Sequence, residues 1–208
     1  MSLLSPSARD TAQATILTVI AGIADAVGYI TMGGVFAANM TGNTVLAGIA
    51  AAQRDYTDAW HHLAPLLAFF MGAMLSRLLL RLSHKPTAGL LVEAALLAIV
   101  GFLPIDRELA VVIVAVAMGV QASAITHFAG NAVSTVVVTS TLARTADALL
   151  DRLWPGEKKP LPAVANLPLL ALTWMGYLAG AVAGTLLLAV MPYPLLVPVV
   201  LLGLLLLL

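Results

Sequence analysis

Apolar runs recur along this chain at about 12–34, 62–82, 87–104, 108–128, 166–190 and 193–208. Each approaches the ~20 residues that a helix needs to cross the ~30 Å hydrocarbon core of a bilayer. Nothing else in the sequence limits the fold as severely. Lipid offers backbone amides no water, so a spanning chain must pair them within helices or a closed barrel, and runs of this length fit helices. Composition agrees: 61% of the 208 residues are hydrophobic and 10% charged, against about 25% charged in a soluble domain. The expected class is therefore all-α, a polytopic helical membrane protein forming a single transmembrane domain over 1–208.

Two further runs fit less simply. The run at 39–52 would make a helix of about 21 Å, short of the core thickness. The run at 131–150 is long enough but carries Ser134, Thr135, Thr139, Ser140 and Thr141, then Arg144 and Asp147. Both read as partial or re-entrant helices beside about six spans. With six spans, Arg9, Arg77, Arg81, Lys85, Arg144, Arg152, Lys158 and Lys159 share the cytoplasmic side with both termini, and only Arg54 and Arg107 lie outside. If both odd runs crossed, Arg77, Arg81 and Lys85 would move outside and the bias would shrink.

The halves repeat weakly. Ala24-Asp25-Ala26 aligns with Ala122-Ser123-Ala124, and Met40-Thr41-Gly42-Asn43 with Val138-Thr139-Ser140-Thr141, at an offset of 98; Met71-Gly72 aligns with Met175-Gly176 at 104. Repeats over about 12–104 and 108–208, each with three spans and one partial helix, would be inverted relative to one another, a construction typical of secondary transporters. Gly176, Gly180 and Gly184 recur every four residues, a face that lets another helix approach closely, within the chain or across a dimer.

The stretch from Gly22 to Ala50 carries the chemistry. Asp25 lies inside an apolar span, where an ionised group costs ~3 kcal/mol or more and so marks function by default. A break at Gly33-Gly34 follows, then a helix start with Asn39, Thr41, Gly42, Asn43 and Thr44. Thr41 or Asn39 can cap that helix, and its first N–H groups present partial positive charge to a polar or anionic ligand. Gln121, Ser123, Thr139, Ser140 and Thr141 are the second-half counterparts. Asp25 is the candidate proton-coupling group and the others are candidate substrate contacts. As a structural group, Asp25 would instead pair with Gln121 or Ser123. Glu93 also falls inside a span, but near enough to its start to snorkel.

Other chemistries find little support. The chain has no cysteine, its formal charge is zero, and its histidines are not at ligand spacing, so no metal site, cofactor or nucleic-acid surface is expected. There is no zinc-protease motif, nucleophile elbow or phosphate-binding loop, and the chain does not read as an enzyme.

Gly22-x-x-Asp25-Ala26, Gly34-x-Phe36 and Met40-Thr41-Gly42-Asn43-Thr44 resemble the first-half signature of the YoaK-like proteins. These are small bacterial inner-membrane proteins, a domain of unknown function usually drawn with about six spans. Gly119-Val120-Gln121-Ala122 and Val138-Thr139-Ser140-Thr141-Leu142 are similar to that family's second-half elements, with Ala122 where Asn is usual and Ser140 where Gly is usual. The resemblance implies a multi-pass protein of the bacterial inner membrane and supplies no substrate. The expected function is a small secondary transporter for a small polar or anionic solute, proton-coupled through Asp25. The alternative is a non-transporting scaffold whose polar motifs only fix helix packing. A homodimer is expected, through the glycine face and the featureless last helix.

Overall fold

The computed structural model describes residues 6–124, 127–128, 131–132, 135–136, 138–153 and 167–207; the basic Trp154–Pro162 loop lies outside them. Within these residues the helices are α1 (Pro6–Thr31), α2 (Met40–Ala52), α3 (Tyr56–Ser83), α4 (Thr87–Phe102), α5 (Arg107–Ala124), α6 (Val138–Leu153), α7 (Leu167–Val190) and α8 (Leu196–Leu207). Between α5 and α6, β1 (His127–Phe128) and β2 (Asn131–Ala132) pair antiparallel, His127 opposite Ala132. The all-α class is as expected.

Among the described residues, four helices are long and apolar enough to cross a membrane: Ala8–Thr31, Tyr56–Ser83, Arg107–Ala124 and Leu167–Val190. The runs at 87–104 and 193–208, expected as full spans, form helices of 16 and 12 residues in α4 and α8. At 1.5 Å per residue these reach only about 24 and 18 Å. Leu103 in extended backbone ends α4 early. In the polar run at 131–150, Asn131–Ala132 form β2 and α6 begins at Val138.

The four long helices are apolar nearly all round. Leu17, Ile20, Ile23, Met118, Leu169 and Leu170 are buried between them, while Leu67, Phe70 and Leu78 on α3 and Leu172, Val182 and Leu186 on α7 face outward. An outer surface of large apolar side chains suits lipid. Several hydroxyls within the helices bond back to their own turn, as Thr15 Oγ1 does to the Thr11 carbonyl and Thr173 Oγ1 to that of Leu169, so these two bring no unpaired donor into the bundle.

Glycines set the two principal crossings. A methyl group on Gly22 of α1 would lie 2.1 Å from the Tyr177 carbonyl oxygen of α7, and one on Gly180 would lie 2.2 Å from that of Val19. On α5 and α3, a methyl on Gly119 would lie 2.0 Å from the Phe69 carbonyl oxygen, and one on Gly72 would lie 2.1 Å from that of Val116. Only bare backbone fits at such distances. Gly119 and Val116 stand 97 residues after Gly22 and Val19, while Tyr177 and Gly180 stand 108 after Phe69 and Gly72. These spacings of 97 and 108 differ from the offsets of 98 and 104 read from sequence. Gly176, Gly180 and Gly184 meet Thr18, Val19 and Ile23 in turn, so α1 and α7 run parallel and the glycine face is filled within the chain. A homodimer loses that part of its support.

α2 leaves and returns on one side of the bundle. Gly33 and Gly34 both have positive φ, 85° and 77°, and reverse the chain after α1. The segment to Asn39 then runs back along α1, with Phe36 stacked on Tyr29 at 4.8 Å between ring centroids, until the Ala38 and Asn39 amides reach Asp25. α2 therefore begins level with Asp25. Arg54, at φ 64°, turns the chain again, and Asp55 caps α3 by accepting from the Asp58 amide. His61 of α3 lies 3.2 Å from the Gly33 carbonyl oxygen, so α3 starts where α1 ends.

Candidate functional site

The site is organised by the glycine crossing of α1 and α7. Because Gly22 admits the backbone of α7 at Tyr177, the phenol reaches the carboxyl one turn further along α1, and the Tyr177 hydroxyl donates to Asp25 Oδ2. Asp25 Oδ1 accepts from the Ala38 amide at 2.6 Å and the Asn39 amide at 3.3 Å. Three donors from two segments thus converge on one buried carboxyl. It ties the entry of α2 to the middle of α7. The structural partners expected for it, Gln121 and Ser123, are not those found.

Beside this knot lies a cavity of about 910 Å³. Tyr29 and Phe36 form one wall, Trp174, Tyr177, Leu178 and Ala181 of α7 another, and Phe69 of α3 contributes a further ring. Asn39, Met40, Thr41, Gly42, Val45 and Leu46 line it from the start of α2, and Val136, Val138 and Thr139 from the start of α6. Phe69 is halfway along α3 and Tyr177 nearly halfway along α7, so the cavity sits at mid-bundle. Two helix N-termini open on it, each bringing partial positive charge. Asp25 is not on its wall. Tyr177 stands between the carboxyl and the space.

At the α2 terminus the amides are unequally occupied. The Gly42 amide donates to Asn39 Oδ1 at 3.1 Å, making Asn39 rather than Thr41 the cap. The Met40 and Asn43 amides bond to the Ala38 and Asn39 carbonyls. Among the described residues the Thr41 amide makes no hydrogen bond, and Thr41 is an exposed cavity residue.

Of the candidate contacts, the structure brings Asn39, Thr41, Gly42 and Thr139 to the cavity. The others it places elsewhere. Asn43 is wholly buried and clamps Phe36, accepting from its amide at 2.9 Å and donating to its carbonyl at 2.7 Å. Thr44 bonds to the Met40 carbonyl on the outer side of α2. Gln121 is buried between α5 and α1, its Nε2 donating to the Leu17 carbonyl and to Thr135 Oγ1. Ser123 is half-buried on α5, Ser140 is exposed and Thr141 is buried, all three off the cavity wall. Sequence reasoning missed Tyr177, Trp174, Phe69 and Tyr29. The available signal was Tyr177 itself, a phenol inside an apolar helix one turn before Gly180.

A second cavity, of about 1100 Å³, opens at the end of the bundle where α3 and α5 begin, among Asp55, Asp58, Asp106, Arg107, Glu108 and His61. Its carboxylates serve local structure: Asp55 caps α3, and Asp106 accepts from the Leu109 amide of α5. No group of His, Asp and Glu among the described residues is arranged to hold a metal.

A family model described as a protein of unknown function (DUF1275) matches residues 13–208. The chain belongs to this family. The chain is also similar to the UPF0700 transmembrane protein YoaK of Bacillus subtilis, 28% identical over 179 residues that cover 81% of this chain and 79% of the relative. No solved structure matches. It is thus a YoaK-like transmembrane protein, of a family whose function is unknown.

One buried group of this DUF1275 chain stands apart from the cavity. Glu93 of α4 is wholly buried, and neither carboxyl oxygen has a partner among the described residues. It does not reach the surface by snorkelling, as its position near the helix start suggested, because α4 packs it inward with Gly89, Leu90 and Leu97. The buried Ser76 hydroxyl of α3, near Gly89, also lacks a partner among these residues.

Proposed function

We propose that the chain is a small secondary transporter of the bacterial inner (plasma) membrane, taking a small polar or anionic solute into the mid-bundle cavity. The observation that carries this reading is the meeting of two helix N-termini, those of α2 and α6, on one cavity halfway along α3 and α7. Interrupted helices whose N-termini face a midplane site are how transporters hold a solute within lipid. Asn39, Thr41, Gly42 and Thr139 are the polar contacts. Asp25 is the coupling group, acting through Tyr177 and the Ala38 and Asn39 amides: taking up a proton removes acceptor capacity from the carboxyl, loosens all three donors and reshapes the cavity wall.

The same reading takes the chain as six spans in two inverted repeats, with both termini in the cytoplasm and no enzymatic role. Its support is the matched glycine crossings at constant offsets and the return of α2 to the side it left. A scaffold is the second reading, favoured by the full bonding of Asp25 and Asn43.

The test is a thermal-shift screen of the purified protein against small anions, nucleobases and metabolites, followed by uptake of any stabilising solute into proteoliposomes under a pH gradient. Asp25→Asn is expected to keep binding and lose pH-driven uptake. If Asp25→Asn transports with an unchanged pH dependence, Asp25 is structural and the coupling assignment is wrong.

A further inference from the structure

We infer that the cavity takes a planar aromatic monoanion, a ring carrying a single carboxylate; this rests on the transport reading and names its substrate class. Three observations carry it. First, the walls are rings from separate elements: the stacked Tyr29 and Phe36, Phe69 of α3, and Trp174 and Tyr177 three residues apart on α7. Flat aromatic faces around a space offer offset and edge contacts that a second ring satisfies and a compact ion does not.

Second, no described lining residue carries a full charge, positive or negative. A solute with two charges would leave at least one unpaired away from water, which decides against the phosphate dianion and dicarboxylates. The fixed positive field comes from the N-termini of α2 and α6, roughly half an elementary charge each, enough together to offset about one negative charge. That sign also decides against an organic cation, the other guest that aromatic walls can hold.

Third, two donors on residues that line the space are unpaired. The Thr41 amide makes no hydrogen bond among the described residues, and neither does the buried indole Nε1 of Trp174, whose ring lines the cavity. An unpaired buried donor is costly, and an acceptor oxygen on the guest removes that cost. The ring then lies against Phe69 and Tyr177 with its carboxylate toward the start of α2.

The chain has three tryptophans, so Trp60→Phe with Trp154→Phe leaves Trp174 as the sole fluorophore. That variant, purified in mild detergent, is titrated separately with benzoate, uracil, phosphate, succinate and tetramethylammonium. Benzoate is expected to quench Trp174 saturably, uracil to bind at least tenfold more weakly, and the other three to have no saturable effect. Thr41→Pro in the same background, which removes the unbonded amide in the first turn of α2 where proline is tolerated, should weaken benzoate about tenfold, the worth of one hydrogen bond to a charged group. Saturable quenching by phosphate, succinate or tetramethylammonium without benzoate would overturn the aromatic monoanion and leave the transport reading standing, and so would uracil binding as well as benzoate. Silence from all five probes counts against both. If the double tryptophan variant does not fold, thermal shifts of the native chain with the same probes give the same decision.

Discussion

Replacing Gly22 with alanine tests the packing that creates the site. The new methyl would lie 2.1 Å from the Tyr177 carbonyl oxygen and 2.8 Å from the Ala181 amide nitrogen, both backbone atoms, where real contacts are not found under 3.0 Å. α1 and α7 must therefore part by at least 0.9 Å at this point. A gap of 0.5–1 Å forfeits about a quarter to a half of each dispersion contact, and overpacking of this kind costs roughly 1–3 kcal/mol. The same shift draws Tyr177 away from Asp25, adding the loss of one hydrogen bond to a charged group, about 1.5–3 kcal/mol. We expect a total near 3–5 kcal/mol. Gly48→Ala is the control, because nothing lies within 4 Å of its added methyl and alanine favours a helix by up to about 1 kcal/mol. Thermal unfolding of both variants in one detergent, read by loss of the monodisperse chromatographic peak, ranks them without requiring reversibility. If Gly22→Ala melts with the native chain or with Gly48→Ala, the close crossing does not exist as described.

Further outcomes follow from single contacts. Asn43→Ala should destabilise by about 2 kcal/mol or more, since it strands the Phe36 amide and carbonyl, whereas Thr44→Ala on the outer side of α2 should cost under about 0.5 kcal/mol; thermal melts compare the two. Glu93→Met should melt at or above the native temperature, because the carboxyl it removes has no partner among the described residues; a loss of several degrees would mean that Glu93 is bonded. With no native cysteine, single cysteines at Ser83 and Gln53 report sidedness: Ser83→Cys should label only from the cytoplasm and Gln53→Cys only from outside, and external labelling at Ser83 would reverse the six-span topology.

The legible parts of the fold were those written in composition and period. Long apolar runs gave the helices, and the Gly33-Gly34 break with the polar start at Asn39 gave a short helix beginning at depth. What could not be read was pairing across the bundle. Asp25 was identifiable as an anomaly, but its partner Tyr177 lies 152 residues away, and only the meeting of Gly22 with the α7 backbone brings them together. Asn39 and Asn43 are alike as sequence, yet one helical turn separates a cap on the cavity wall from a buried clamp on Phe36. Sequence pairs Gly72 with Gly176, but α7 carries glycine on three successive turns, and it is Gly180 whose added methyl would meet a carbonyl of α1 as closely as that of Gly72 meets one of α5. Offsets among small residues are degenerate until the partner atoms are known.

The central claim is that the starts of α2 and α6 share a mid-membrane space that a solute can enter from water. Thr41→Cys and Thr139→Cys, both cavity residues, can be exposed in sealed vesicles to a small charged methanethiosulfonate, with the outward-facing Met71→Cys of α3 as the lipid reference. Reaction at Thr41→Cys and Thr139→Cys but not at Met71→Cys is the result the account predicts. Inertness of both cavity cysteines to the reagent applied from either side would contradict it, leaving a packed bundle whose polar residues only hold helices together.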